Sequence, residues 1–232
     1  MVDDKSMTEE RMKQTVTGIL NTMKEVITTP AEFFRKMPKS GGFVDPIIFV
    51  VGISVIVGVI NLILSIVGLG FAASFGMAIL YIVIIPVFAV IFGFVGAAII
   101  FIIWKIMGSQ ESFETAYRCG AYASAITPVT IIIAIVPYLG SVIGMVWMTY
   151  LMVSASIEVH GIKAKIAWIV FGILFGLFLL MNLSATYSAR HFSSELEGWN
   201  HSQKELENMT PEEKGKAVGE FLKGMQKATE KE

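Results

Sequence analysis

The sequence predicts an all-α membrane protein: a five-transmembrane-helix bundle with N-terminal and C-terminal amphipathic helices outside the membrane. Two observations predict this class. The 232-residue chain is 54% hydrophobic and 16% charged, with a mean hydropathy of +0.68, whereas soluble domains carry roughly 25% charged residues. The charges are also segregated, because residues 46–188 contain only seven of the 18 basic and 19 acidic residues.

Long apolar segments give the number of helices, since about 20 apolar residues cross the hydrocarbon core. The segment 115–159 would measure about 68 Å as one helix, so it must turn back, and Pro137 marks the turn. Pro86 and Pro128 predict helix bends within their spans. Four or six spans are the alternatives. The five predicted spans are 46–70, 76–106, 115–136, 138–159 and 166–187.

The basic residues predict the orientation of the bundle. Lys and Arg occur in the N-terminal tail 1–45 and in the loops after spans two and four, whereas the other two short loops have none. Positive charge favours the cytoplasmic side, so we expect a cytoplasmic N-terminus and, after five spans, an outside C-terminus. No removable signal peptide is expected ahead of the first span. The transmembrane domain is then 46–188, followed by a polar C-tail, 189–232.

Both tails carry an amphipathic pattern. Residues 6–28 place apolar side chains on one helical face, and a second helix follows Pro30. The first of these helices, 6–28, predicts one of three arrangements: packing on the bundle, pairing with a second copy, or docking of a protein partner. The C-tail begins another short helix at Thr210. The residues assigned to a partner or membrane-surface helix, with aromatics inward and cations towards headgroups, are Phe33, Phe34, Arg35 and Lys36.

Polar residues near or within the spans fall into two groups. Charged side chains lie at span ends on the predicted cytoplasmic side, where they form a salt-bridge cluster that fixes helix ends or contact a headgroup or substrate. Amides and hydroxyls lie deeper, where they bond between helices or line a polar cavity. The interfacial charge cluster is Glu114, Arg118 and Glu158. The intramembrane polar residues are Asn61, Thr127 and Asn182.

Glycine pairs spaced by four residues predict close helix packing, either within the chain or in a homo-oligomer. These pairs are Gly140 with Gly144, and Gly172 with Gly176. Motifs for catalysis and for cofactor binding are missing from the sequence, so we expect a protein that is not an enzyme and uses no cofactor. The single Cys119 and the Cys/His spacing predict no metal site. A net charge of −1 predicts no nucleic-acid partner.

Three segments resemble the Yip domain family, the Ypt/Rab-interacting integral membrane proteins and their prokaryotic members. Residues 28–46 read TTPAEFFRKMPKSGGFVDP, a helix, a glycine pair and the start of a span. Residues 112–128 read SFETAYRCGAYASAITP and enter the third span. Residues 136–161 read VPYLGSVIGMVWMTYLMVSASIEVHG, a proline turn followed by a span with a charged end. The resemblance covers about 28–190.

The resemblance implies five spans and a cytoplasmic N-terminus. The eukaryotic members of the family work in membrane traffic and bind small GTPases or each other. Their pre-membrane signature of acidic, apolar, Tyr, Gly and Pro residues is represented here only by Asp45-Pro46, which argues against GTPase binding. The prokaryotic members are the more similar, so we expect a multi-pass protein of a bacterial or archaeal inner membrane.

The sequence therefore predicts a non-enzymatic integral membrane scaffold or adaptor that organises partners or the bilayer through its tails. Membrane lipids are expected partners, together with a protein that binds through 6–37. The alternative is a small transporter or channel for a lipid or neutral solute, which the glycine-rich spans and intramembrane prolines favour. An intramembrane enzyme ranks last, because the spans offer no nucleophile beside a base.

Overall fold

The computed structural model describes residues 4–70, 74–136, 139–208, 210–216, 219 and 223, and every regular element in this part is helical. The predicted turn residue Pro137 lies outside the described residues. The helices are α1 (Asp4–Thr28), α2 (Pro30–Lys36), α3 (Val44–Ile66), α4 (Phe75–Ile106), α5 (Phe113–Ala123), a 3-10 turn (Ser124–Ile126), α6 (Thr127–Ile133), α7 (Leu139–Glu158) and α8 (Ala164–Asn208).

Four helices of the described chain are long and apolar enough to cross a membrane: α3, α4, α7 and the Ala164–Ala185 part of α8. Multi-pass helical architecture is thereby confirmed. The predicted third span, 115–136, is not one continuous helix but consists of α5 and α6 joined by the 3-10 turn. Pro128 stands in the first turn of α6, where its missing N–H costs no helical bond. The count of five crossings stays a prediction.

The chain divides into two compact units, 1–179 and 180–232. The core of the first unit surrounds the short helix α5, which has seven of its 11 residues buried. By contrast, α4 has only four buried residues among 32, and its exposed side chains are mainly Ile, Val and Phe. An apolar exposed surface of this kind suits contact with lipid, which places α4 at the periphery and α5 at the centre.

Close packing joins α3 to α4 beside Pro86. A Cβ added to Gly58 of α3 would lie 2.9 Å from the Cα of Ile82 in α4, so the two backbones approach as closely as glycine allows. α4 continues as a helix through Pro86, although this residue cannot donate a backbone hydrogen bond.

The second unit begins within α8. α8 extends to Asn208, so the first part of the polar C-tail, 189–208, is helical. The next helical stretch, 211–216, begins with a capping box in which the Thr210 N–H and hydroxyl both donate to Glu213 Oε2, at 2.8 and 2.9 Å. The apolar residues of this tail's amphipathic pattern lie outside the described residues: Val218, Phe221, Leu222 and Met225.

Candidate functional site

Arg118 fastens the segment before the membrane to the start of α5. Its side chain is 2% exposed, and its Nη2 donates to the carbonyl oxygen of Gly42 at 2.8 Å. Its Nε lies 3.4 Å from Glu114 Oε1, which accepts the Gly42 N–H at 2.7 Å. Both backbone groups of Gly42 are therefore held by one ion pair. Gly41 has a φ of +124°, and a Cβ there would lie 3.0 Å from Arg118 Nη2, so this approach requires glycine.

Two further ion pairs fasten α2 and the residues after it. Arg35 makes a two-point contact with Glu158 at the end of α7, with Nε–Oε2 of 2.8 Å and Nη2–Oε1 of 3.0 Å. Lys39 Nζ donates to Glu111 Oε1 at 2.7 Å and to the carbonyl oxygen of Val159 at 2.8 Å. We call these residues the polar clamp: Arg35, Lys39, Gly42, Glu111, Glu114, Arg118, Glu158 and Val159.

The polar clamp differs from the charge cluster that the sequence predicts. Glu114 and Arg118 pair as their spacing on one helix suggests, but Glu158 pairs with Arg35, which the sequence assigns to a membrane-surface helix. The clamp brings together the segments before α3, between α4 and α5, and after α7. These three segments meet at one end of the first unit. The start of α3 and the end of α4 therefore lie at the same end of the bundle.

The aromatic residues of α2 face the protein rather than lipid. Phe34 is fully buried in the core, and the Phe33 ring packs edge-on against Tyr122, with centroids 5.2 Å apart. This corrects the membrane-surface alternative for these two aromatic residues, because both rings contact protein. Lys36 pairs with Glu32 on the exposed side of α2, at 2.6 Å. Amphipathicity alone does not distinguish an interior made of lipid from one made of protein.

A second buried polar group lies beside the clamp, centred on His160. Its ring stacks on Trp104, with centroids 3.8 Å apart, and its Nδ1 lies 2.7 Å from Ser109 Oγ. Ser109 Oγ also accepts the Glu111 N–H at 3.2 Å, so the hydroxyl proton is free to go to Nδ1. That arrangement leaves Nε2–H facing Cys119 Sγ, 3.9 Å away. Burial lowers the pKa of His160 to about 4, which keeps the imidazole neutral.

Ser109 and His160 have the separation of a nucleophile and its base, yet both are buried and neither lines the two cavities described in the structure. A reacting group needs space for substrate. Their hydrogen bond joins the loop between α4 and α5 to the residues that follow α7. A related bond, from Trp104 Nε1 to Ser156 Oγ at 2.7 Å, holds the end of α4 to α7. In the described part of the chain, no three His, Cys, Asp or Glu residues are grouped to hold a metal.

A cleft of about 300 Å³ lies among α3, α4, α5 and α7, and we call it the intramembrane cleft. Its floor is α3, whose lining residues are buried, whereas most lining residues of α4 and of the stretch 113–133 are half-buried. The mouth is therefore on the side of α4 and that stretch, where the lining is less buried. Tyr117 and Thr127 both line it; the Tyr117 hydroxyl has no hydrogen-bond partner among the described residues. The other main lining residues are Val50, Ile53, Ser54, Val57, Ala89, Gly93, Gly96, Gly120, Ser124 and Met152.

The remaining predicted residues lie in different surroundings. Gly140 and Gly144 sit against α6: a Cβ on Gly140 would overlap the backbone of Ala134, and one on Gly144 would lie 2.6 Å from Thr130 Cγ2. For Gly172 and Gly176 of α8, the same Cβ would meet nothing within 4 Å among the described residues. Asn61 is buried in α3, and Asn182 is half-buried in α8, within the second unit.

The N-terminal helix α1 is docked over only part of its apolar face. Val26 is fully buried, and the Ile19 side chain lies against Gly52 of α3. On the rest of this face, Met12 and Val16, which precede Ile19 by about two turns and one turn, and Leu20, which follows it, are exposed at 58%, 54% and 43%. We call these three residues the α1 stripe.

The fold, the apolar helices and the polar clamp at one end define the chain as a multi-pass integral membrane protein. The model of the Yip1 domain matches residues 24–185, which include the clamp and the intramembrane cleft. The chain belongs to the Yip1 domain family, and the resemblance carried by its three segments is thereby confirmed. No curated protein and no solved structure matches the chain. The α1 stripe precedes the matched region.

Proposed function

We propose that this chain is a non-enzymatic membrane scaffold or adaptor that binds a partner protein through α1. It would act in the inner membrane of a bacterial or archaeal cell, with a cytoplasmic N-terminus. The observation that carries the proposal is the α1 stripe. Three large apolar side chains stand exposed on a helix whose other end is fixed in the core, and exposed apolar surface of this kind is typical of interaction sites.

The polar clamp supports a geometry in which the partner site and the bundle move together. α2 is joined to α7 through Arg35 and Glu158, and α1 packs against α3 through Ile19. A partner bound at the stripe is thus connected to the spans by short, ordered elements. An adaptor needs such a connection, because it must hold the bound partner in a fixed position relative to the membrane spans.

The experiment replaces Met12, Val16 and Leu20 together by Ser in the full chain and measures co-purification from cross-linked native membranes. Loss of specific partners is expected, because each buried aliphatic contact contributes about 1.5–3 kcal/mol. The matched control replaces Gln14, Thr17 and Asn21, which are exposed on the same helix, and should retain the partners. Equal partner recovery from wild type and the stripe variant would contradict the proposal, as would loss in both variants.

The proposed topology has five crossings, with α5, the 3-10 turn and α6 together forming the third. α7 is long enough to cross and returns to the clamp at Glu158. The stretch 113–133 must therefore lead from the clamp to the opposite end, where α7 begins. At 1.5 Å per residue, its 21 residues cover about 31 Å, which is close to the thickness of the hydrocarbon core.

Cysteine labelling tests this topology, because the native Cys119 is buried. Ser40, Ser74 and Ser188 are exposed and can each be changed to Cys. Five crossings predict that Ser40→Cys reacts with an impermeant thiol reagent only from the cytoplasmic side. Ser74→Cys and Ser188→Cys should react only from outside. Reaction of Ser188→Cys from the cytoplasmic side would show an even number of crossings.

The transport alternative is favoured only by the presence of the intramembrane cleft. Its wall is mainly apolar, and the hydroxyls of Ser54 and Ser124 donate to carbonyls of their own helical segments, at 2.7 and 2.6 Å. A wall of this chemistry suits an apolar occupant better than a neutral polar solute. Flux of polar solutes into liposomes at a rate above that of protein-free vesicles would favour transport over the scaffold.

A further inference from the structure

We propose that the intramembrane cleft is a binding site for one acyl chain of a membrane lipid. This proposal concerns a site other than the α1 stripe and does not depend on the scaffold function. It starts from the position of the cleft, which lies between helices that cross the membrane. The medium outside its mouth is lipid, so the molecules that reach the cleft are lipid chains.

The shape of the cleft matches a chain rather than a compact molecule. Its lining runs along α3 from Val50 to Val57 and along α4 from Ile85 to Ile100. At 1.5 Å per residue these stretches are about 10 and 22 Å long. Half of the hydrocarbon core is about 15 Å. A groove of this length can hold the part of an acyl chain that crosses one leaflet.

The chemistry of the lining also selects an apolar occupant. Most lining side chains are Val, Ile, Ala and Met, and glycine supplies the rest of the α4 wall. Ser54 Oγ donates to the Val50 carbonyl at 2.7 Å, and Ser124 Oγ donates to the Ala121 carbonyl at 2.6 Å. Hydroxyls that bond their own helical segment have no donor left for a polar ligand. Apart from the hydroxyls of Tyr117 and Thr127, the wall therefore offers dispersion contacts and no charge.

Three glycines make the space. A Cβ on Gly96 or Gly120 would meet nothing within 4 Å, and one on Gly93 would meet only the ring of Tyr117, at 3.9 Å. These positions are helical, and glycine in a helix costs about 1 kcal/mol relative to alanine. Because no backbone neighbour requires glycine at Gly96 or Gly120, the small residues there serve to leave the groove open.

The test uses the full chain reconstituted in phosphatidylcholine nanodiscs in which a fraction of the lipid carries a diazirine on one acyl chain. After irradiation, peptides are mapped by mass spectrometry. Adducts are expected on cleft residues of α4 and α5 as well as on Phe88 and Phe92, which are exposed on α4 and report ordinary lipid contact. Adducts confined to exposed residues such as Phe88 and Phe92 would overturn the proposal even without a variant.

Filling the cleft provides the second measurement. Gly96→Leu and Gly120→Leu should each reduce cleft adducts about tenfold while labelling at Phe88 and Phe92 is unchanged. The matched control is Gly76→Leu, also on α4 and also with open space around its Cβ, but outside the cleft. Unchanged cleft labelling in both filled variants would overturn the proposal.

Discussion

Arg35 and Glu158 lie 123 positions apart in the chain and meet through two parallel hydrogen bonds of 2.8 and 3.0 Å. This two-point geometry is specific to a guanidinium and a carboxylate. It joins the short helix before the membrane to the last residue of α7, so that α2 cannot leave the bundle without separating the pair.

Removing this pair is expected to loosen α2. Arg35→Gln should accelerate trypsin cleavage after Lys36, because the segment is then held at fewer points. The charge swap, Arg35→Glu with Glu158→Arg, should restore slow cleavage. Lys13→Gln is the control, since Lys13 pairs with Glu9 on the exposed part of α1 at 3.7 Å. Equal cleavage rates in wild type and Arg35→Gln would contradict the assigned role.

Arg118 is expected to be the most sensitive member of the polar clamp. Arg118→Met leaves Glu114 without its cation and the Gly42 carbonyl without its donor, which should destabilise the protein by about 3 kcal/mol or more. Unfolding in SDS titrations measures the change. Adding Glu114→Leu should recover part of it, because the uncompensated carboxylate is then removed. Arg11→Met, on the exposed part of α1, should have little effect; a similar loss there would refute the argument.

His160 predicts a loss of stability in mild acid. The pKa of His160 in the folded protein, about 4, is below the ordinary histidine value of 6.5, chiefly because burial penalises the charged form. Glu111 opposes this shift, while Lys39 and Lys105 add to it. The stabilising contribution is thus complete above pH 6.5 and is lost as the pH falls towards 4, since the unfolded chain binds a proton that the folded chain does not.

Thermal unfolding in detergent between pH 7.5 and pH 4.5 measures this effect. The slope of unfolding temperature against pH should decrease in His160→Gln, which retains a polar side chain and does not titrate. A wild-type slope that His160→Gln leaves unaltered would show that other groups carry the acid sensitivity.

The two glycine pairs predict opposite responses to the same substitution. Gly140→Ala should lower stability, because its Cβ would overlap the Ala134 backbone and overpacking costs about 1–3 kcal/mol. Gly172→Ala should be neutral or stabilising, since its Cβ has open space and alanine gains about 1 kcal/mol in helix propensity. Unfolding experiments compare the two. If Gly172→Ala instead lowers the mass of the purified particle, that face packs against a second copy.

The bounds of α3, α4 and α7 could be predicted from the sequence to within a few residues, whereas α8 continues to Asn208, well past the predicted end of its span at 187. α4, for example, was expected over 76–106 and extends from Phe75 to Ile106, because an uninterrupted apolar segment has few alternatives in a bilayer. The break between α5 and α6 was not predicted. Hydropathy reports how apolar a segment is and does not register the 3-10 turn that precedes Pro128.

Contacts between distant segments could not be predicted from one sequence. The Glu114–Arg118 pair follows from a spacing of four on a helix, but Arg35–Glu158, Lys39–Glu111 and Ser109–His160 depend on how the spans pack. The same limit applies to Phe34, whose burial in protein rather than lipid is decided by the position of α2 against α7. The intramembrane cleft likewise lies between helices, so its presence cannot be predicted from the sequence of any one helix.

The polar clamp has a mechanical consequence for the first unit. All of its ion pairs join the segments at one end, whereas the sequence near the opposite helix ends, 66–80 and 132–145, contains no charged residue. Any rearrangement of the spans should therefore pivot about Gly42 and Glu158 and be largest where α3 ends and α7 begins. Motion about this end would widen or narrow the cross-section of the helix bundle in the opposite leaflet. The N-terminal helices would stay in place.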